Sequence, residues 1–130
     1  MPEAYIVEAV RTPVGKKKGG LATVHPADLG GFALKALIER SGVDPAAVED
    51  VVFGAVDTIG PLAGDIARTC WLVAGLPEHV PGTTVDRQCG SGLSAVATAA
   101  DAIRAGERRM LLAGGAESAS TAPLRIAQGE

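Results

Sequence analysis

A chain of 130 residues suits one domain, and folding at this length buries roughly two-thirds of the unfolded surface. Hydrophobic residues make up 47% and charged residues 21%, with a net charge of −3, a balance that argues against nucleic acid as the main partner. No apolar run approaches the roughly twenty residues needed to cross a bilayer, so no membrane partner is expected.

The opening residues Met1-Pro2-Glu3-Ala4-Tyr5 have neither the basic flank nor the apolar stretch of an export signal. Two cysteines, Cys70 and Cys89, make no disulfide framework. Both are expected to be free thiols in a reducing cytoplasm. Aromatic residues are few (Tyr5, Phe32, Phe53 and Trp71), so the core must be built mainly from Ala, Val, Leu and Ile.

In chain order, Tyr5-Ile6-Val7-Glu8-Ala9-Val10 reads as a strand, mostly apolar and β-branched. Lys16-Lys17-Lys18-Gly19-Gly20 reads as a solvated loop. Pro26 suits the first position of a helix, along which Leu29, Phe32, Ala33, Leu37 and Ile38 recur at helical spacing, with Gly42 as stop. Asp44 is placed to cap a short turn of helix. Val51–Val56 is apolar on both faces, as a covered parallel strand should be. Ile66, Cys70 and Val73 mark a second helix closed by Gly75. Thr83-Thr84-Val85 is a further strand, and an Ala-rich helix runs from Gly90 to about Ala105, stopped by Gly106. Met110-Leu111-Leu112-Ala113 is the last strand before Gly114-Gly115. Alternating strands and helices with short connections predict an α/β fold, a mainly parallel sheet covered by helices on both faces.

The chemistry concentrates in Arg87-Gln88-Cys89-Gly90-Ser91-Gly92-Leu93. Cys89 falls where a strand stops and a helix starts. A thiol there faces the unsatisfied N–H groups of the first helical turn. The positive end of the helix dipole stabilises an anion, and the thiolate is the reactive form of cysteine. Gly90, Ser91 and Gly92 carry little bulk and let a substrate approach the sulfur, while the local N–H groups suit the oxyanion formed when a thioester carbonyl is attacked. The following helix is read as buried through Leu93, Val96, Ala97, Ala100 and Ile103. Taken alone, the glycine-rich turn leaves an inert core cysteine about as credible as a nucleophile.

The wider pattern resolves that balance. Arg87–Leu93 resembles the nucleophile signature of the thiolase family. Glu8-Ala9-Val10-Arg11-Thr12-Pro13-Val14-Gly15 is similar to the family's opening strand and turn. Ala67-Arg68, Ala74-Gly75-Leu76-Pro77, Val80-Pro81 and Thr84-Val85 follow in the family's order. Gly114-Gly115-Ala116-Glu117-Ser118-Ala119-Ser120 resembles its strand end after the nucleophile helix. The resemblance covers essentially the whole chain. Asp86 stands where many members carry Asn.

The resemblance implies a thiolase-like αβα half-domain with a mainly parallel, mixed sheet. It implies an acyltransferase of the acetyl-CoA C-acyltransferase type, with Cys89 as the nucleophile that takes an acyl group from coenzyme A thioesters. The backbone of Cys89, with Gly90, Ser91 and Gly92, shapes the oxyanion turn. It implies no permanently bound cofactor and no metal, a place in fatty acid metabolism, and an oligomer when complete. It also implies a second cysteine, a histidine and a water-holding asparagine from a C-terminal half. This chain contains no Asn. Cys70 matches no catalytic motif and is expected to be core; His25 and His79 are expected to be structural or exposed.

On this reading residues 1–117 form a partial N-terminal core domain, and 118–130 begin a loop domain or linker. The last strand of the sheet, the loop domain that binds most of the coenzyme A, and the C-terminal half are expected to be missing. They would come from further residues or a partner chain. Two other functions stand beside it: a ketoacyl-synthase-like condensing enzyme, disfavoured by Arg87-Gln88-Cys89-Gly90 and Gly115-Ala116-Glu117-Ser118, and a non-catalytic fragment serving as an assembly subunit.

Overall fold

Val51, Val52 and Phe53 are fully apolar because they form the middle of a sheet that is covered on both sides. The computed structural model describes residues 1–124 and Gly129. Its six main elements are α1 (Pro26–Ser41), β1 (Asp50–Gly54), α2 (Ile66–Val73), β2 (Gly82–Val85), α3 (Ser91–Arg104) and β3 (Leu111–Gly115). Short 3-10 turns at Pro45–Ala47 and Gly60–Leu62 lie in the connections. The strand order is β2-β1-β3, with β1 parallel to both neighbours. Phe53 aligns with Thr84 on one side and Gly114 on the other. The antiparallel strand that a mixed sheet needs is not among the described residues.

Successive side chains of a strand point to opposite faces, and β1 shows which helices lie where. The Phe53 ring lies within 3.3 Å of where a Cβ on Gly30 of α1 would stand. Gly54, one residue on, faces the first turn of α3. So α1 and α2 cover one face of the sheet and α3 the other.

The helix starts follow from local chemistry. His25 caps α1 by accepting the Ala27 N–H on Nδ1 (3.1 Å), with Pro26 at the first helical position. Gly42, at φ 69°, closes α1 by donating to the Ile38 carbonyl. Asp44 caps the Pro45–Ala47 turn as expected, its Oδ1 accepting the Ala46 N–H at 2.9 Å. Asp65 caps α2 from a left-handed backbone conformation and also accepts the Thr84 hydroxyl at 2.7 Å. That bond ties the start of α2 to β2.

The core gathers Val51, Phe53, Leu62, Ile66, Cys70, Trp71 and Val80 between the sheet and α1/α2. The Trp71 ring satisfies its one polar atom by donating from Nε1 to the Pro77 carbonyl at 2.7 Å. α1 meets α2 at Gly30 and Gly31, which lie against Cys70, Val73 and Ala74, while Leu34 of the same helix enters the core. Phe32 is 64% exposed. The reason lies at Gly30, where a Cβ would collide with the Cys70 sulfur; the helices approach so closely that only small residues fit between them.

Two further expectations are corrected. Tyr5–Val10 forms no strand: Ile6 and Val7 are 79% and 83% exposed, and no described residue pairs with them. A strand exists through its neighbour's N–H and C=O groups, and apolar β-branched composition cannot supply that neighbour. The segment meets α1 at the Arg40–Glu8 ion pair, 3.7 Å long, with Arg40 exposed and Glu8 half-buried. In α3 the buried positions are Ser91, Ala95 and Ala99, while Leu93 is 78% and Val96 38% exposed. The small residues lie on the sheet because α3 starts almost in contact with β1; the larger apolar ones are left outside.

Residues after Glu117 turn back at once. Ala122 donates to the Ser118 carbonyl at 2.8 Å, and its side chain enters the core. The expected loop domain or linker over 118–130 lies partly outside the described residues, which omit 125–128 and 130.

Candidate active site

All three strands run the same way, so their carboxyl ends meet at one end of the sheet, the usual site of ligand crevices in open α/β folds. Three segments gather there: Ala55–Asp57 after β1, Asp86–Gly90 after β2, and Ala116–Ser118 after β3. Cys89 lies in the second and is exposed, whereas Cys70 is fully buried in α2.

The Cys89 turn is built by its own backbone. Gly90 donates to the Arg87 carbonyl and Ser91 to the Gln88 carbonyl, both at 3.1 Å. Asp86 Oδ1 accepts the Gln88 N–H at 2.9 Å. An Asn side chain could accept the same N–H through its amide oxygen, so this turn does not depend on the Asp86 charge. Gln88 is left-handed at φ 52°, unusual for a residue with a side chain. This turn presents Cys89 outward. Gly90, the cap position of α3, has no side chain to occupy the first-turn N–H groups; that of Ser91 is used by the Gln88 carbonyl, and those of Gly92 and Leu93 are left without a hydrogen-bond partner among the described residues.

Ser91 is 3% exposed and forms the centre of the turn. Its Oγ accepts the Arg87 N–H at 2.8 Å and lies 2.6 Å from the Gln88 carbonyl and 3.1 Å from the Ala55 carbonyl. One hydroxyl thus joins the segments after β1 and β2 around Cys89. Gly90 and Gly92 are exposed beside it. The structure therefore brings Cys89, Gly90, Ser91 and Gly92 together, with three of them open to solvent.

Two residues at this end of the sheet have no site role in the sequence reading, Gly54 and Glu117, although Glu117 lies within the Gly114–Ser120 motif. A Cβ on Gly54 would overlap the Ser91 carbonyl carbon and stand 2.6 Å from the Gly92 nitrogen. Gly54 is the reason α3 can begin directly on β1. Glu117, after β3, accepts the Val56 N–H on Oε2 at 2.7 Å. Its other oxygen, Oε1, is buried without a hydrogen-bond partner among the described residues. Burial pushes the Glu117 carboxyl above its ordinary value, and the nearby Asp57 and Asp86 push the same way. Its signal in the sequence is a carboxylate at the end of an apolar strand, a place where burial is to be expected.

The remaining candidates are dispersed. His25 serves as the α1 cap, and the exposed His79 has Nε2 3.0 Å from the Ala46 carbonyl. Lys16, Lys17 and Lys18 are exposed in their loop. Among the described residues no cluster of His, Cys, Asp or Glu has metal-binding geometry, and no helix is long and apolar enough to cross a membrane. A groove of about 400 Å³ is lined by residues of α1 and β3 together with Arg11, Phe53, Gly92 and Glu117; it reaches the cysteine turn at Gly92 and not at Cys89 itself.

Comparison with known proteins agrees with this architecture. Residues 4–129 match the family described as "Thiolase, N-terminal domain". The chain is 53% identical over 127 residues to the steroid 3-ketoacyl-CoA thiolase FadA6 of Mycobacterium tuberculosis, covering 98% of this chain and 31% of that protein. It is 49% identical over 131 residues to a beta-ketoadipyl-CoA thiolase of Acinetobacter baylyi, covering all of this chain and 33% of the relative. Among solved structures, the Bacillus anthracis acetyl-CoA acetyltransferase superposes with a TM-score of 0.88 at 38% identity, over 93% of this chain and 30% of that one. An α/β chain with an exposed cysteine turn at the carboxyl ends of its strands thus matches an acyl-transfer family in sequence and in shape. It belongs to the thiolase family, and it spans about a third of the length of the relatives it matches.

Proposed function

We propose that this chain is the nucleophile-bearing N-terminal portion of a thiolase and works with further residues, on the same or a partner polypeptide, that supply the rest of the site. The observation that carries this reading is the exposed Cys89 at the start of α3, beside first-turn N–H groups that no side chain caps.

The Cys89 thiolate attacks the carbonyl carbon of an acyl-CoA. The carbonyl π electrons move to oxygen, and the oxyanion is held by N–H groups of the turn that contains Cys89, Gly90, Ser91 and Gly92. Collapse of the tetrahedral species expels the coenzyme A thiolate and leaves the acyl group on Cys89 as a thioester. In the condensing direction, an α-carbanion of a second acyl-CoA attacks that thioester and frees the Cys89 sulfur. In the degradative direction, attack on a 3-ketoacyl-CoA expels acetyl-CoA after protonation of its α-carbon, and coenzyme A then takes the acyl group. A proton donor for that carbon and a base for the thiol belong to the remainder of the enzyme. Nothing in this cycle needs a permanently bound cofactor; the coenzyme A thioesters are substrates. The two free thiols suit a reducing cytoplasm, and a thiolase of full length is expected to self-associate.

The test is exchange of labelled coenzyme A into acyl-CoA by the polypeptide isolated from its own host, alone or with whatever chain accompanies it. Cys89→Ala should lower the exchange rate by on the order of 10³ or more. Exchange that survives this substitution removes Cys89 as the nucleophile. A native polypeptide with no exchange at all favours a non-catalytic assembly subunit.

A further inference from the structure

A buried carboxylate oxygen without a donor costs stability, and a neutral or apolar side chain of similar size at position 117 would avoid that cost. Glu117 is therefore a residue whose presence needs a reason beyond packing. Its contacts supply one.

Glu117 Oε2 accepts the Val56 N–H at 2.7 Å. Val56 shares a peptide group with Ala55, whose carbonyl lies 3.1 Å from the Ser91 hydroxyl. Ser91 Oγ in turn accepts the Arg87 N–H at 2.8 Å and lies 2.6 Å from the Gln88 carbonyl, the residue before Cys89. The one Ser91 hydroxyl proton is shared between the Ala55 and Gln88 carbonyls, and polar contacts thus run from the end of β3, across the end of β1, to the turn after β2.

We infer that Glu117 is a positioning residue for the nucleophile: by fixing the Ala55–Val56 peptide it sets the acceptor that orients Ser91, and through Ser91 the turn that aims Cys89. The geometry supports action through the backbone, since the hydrogen bond of Glu117 is to the Val56 N–H. Gly54 lies on the same path; with no side chain there, β1 and the α3 start are close enough for the Ser91–Ala55 bond. This inference rests on the reading of Cys89 as the acyl acceptor. It adds a residue that the nucleophile signature, Arg87–Leu93, does not contain.

The test compares Glu117→Met, which keeps length and volume but has no acceptor for the Val56 N–H, with Glu117→Gln, which keeps an oxygen there. Both are made in the native polypeptide and read as kcat and KM for coenzyme A exchange, per acylatable Cys89 counted by mass spectrometry. Counting competent sites removes any loss through misfolding. Glu117→Met should lower kcat about 10- to 100-fold with KM within about 2-fold, as a misaimed nucleophile does. Glu117→Gln should recover most of that loss. Should Glu117→Met fail to fold, the Glu117→Gln and Ser91→Ala pair decides: Ser91→Ala should reproduce the kcat loss while Glu117→Gln stays close to the parent.

Equal kcat per competent site in Glu117→Met and the parent would overturn the inference while leaving Cys89 as nucleophile. So would a Glu117→Gln that is no better than Glu117→Met, or, in the fallback, a Ser91→Ala with unchanged kcat. A parent protein in which Cys89 takes no acyl group would overturn the underlying reading and this inference with it.

Discussion

At the scale of single residues, the two cysteines show how placement decides chemistry. Cys70 is fully buried, with its sulfur 3.9 Å from the Pro26 carbonyl, and burial pushes its thiol up to about 12. Cys89 is exposed on a turn. Iodoacetamide near pH 8 should therefore label Cys89 and spare Cys70 until the chain is unfolded, as read by peptide mass spectrometry; labelling of Cys70 in the folded protein would contradict the buried placement. Glu117 gives a pH dependence. Burial raises its carboxyl above the ordinary 4.5 in the folded chain. The folded state then holds its proton more tightly than the unfolded state, so the stability linked to Glu117 is present below about 4.5 and is lost as pH rises through the raised value. Glu117→Gln cannot ionise and escapes that loss. Its melting temperature relative to the parent should rise between pH 4 and pH 7; a constant difference would show that the carboxyl is not raised.

At the scale of elements, the start of α3 depends on Gly54. Gly54→Ala should destabilise the fold by roughly 1–3 kcal/mol, measured by urea denaturation, because its methyl group would overlap the Ser91 and Gly92 backbone. The same substitution should slow acylation of Cys89, since α3 can only yield by moving the turn. Most elements were legible from the chain. Pro26, Gly42, Asp44 and Gly75 mark local boundaries, and boundaries are set by local hydrogen bonding. The Cys89 turn was legible too, because Cys89, Gly90, Ser91 and Gly92 are neighbours in sequence. What escaped were relations across space. Leu93 and Val96 look like the inner face of a helix, but the sheet side belongs to Ser91, Ala95 and Ala99 because Gly54 draws the helix in. Tyr5–Val10 has strand composition and lacks a pairing neighbour among the described residues. Glu117 reaches Val56, 61 residues away, and no local pattern announces such a contact.

At the scale of the whole molecule, β2 and β3 are the outer strands of the described sheet, and Leu93 and Val96 stand outward from α3. The relatives continue for about twice this length again, since the chain covers 31% of one and 33% of another. Expressed as 130 residues alone, the chain should bind a hydrophobic dye such as ANS more strongly than a full-length relative does at equal molar concentration. Equal dye binding would mean that these surfaces are covered in the short chain as well. Acyl transfer through Cys89 is tested most directly by trapping the intermediate. The native polypeptide is mixed with acyl-CoA, quenched in acid within seconds, digested, and mapped by mass spectrometry. One acyl group is expected on the peptide containing Cys89 and none on the peptide containing Cys70; an acyl group elsewhere, or none anywhere, would contradict Cys89 as the acyl acceptor.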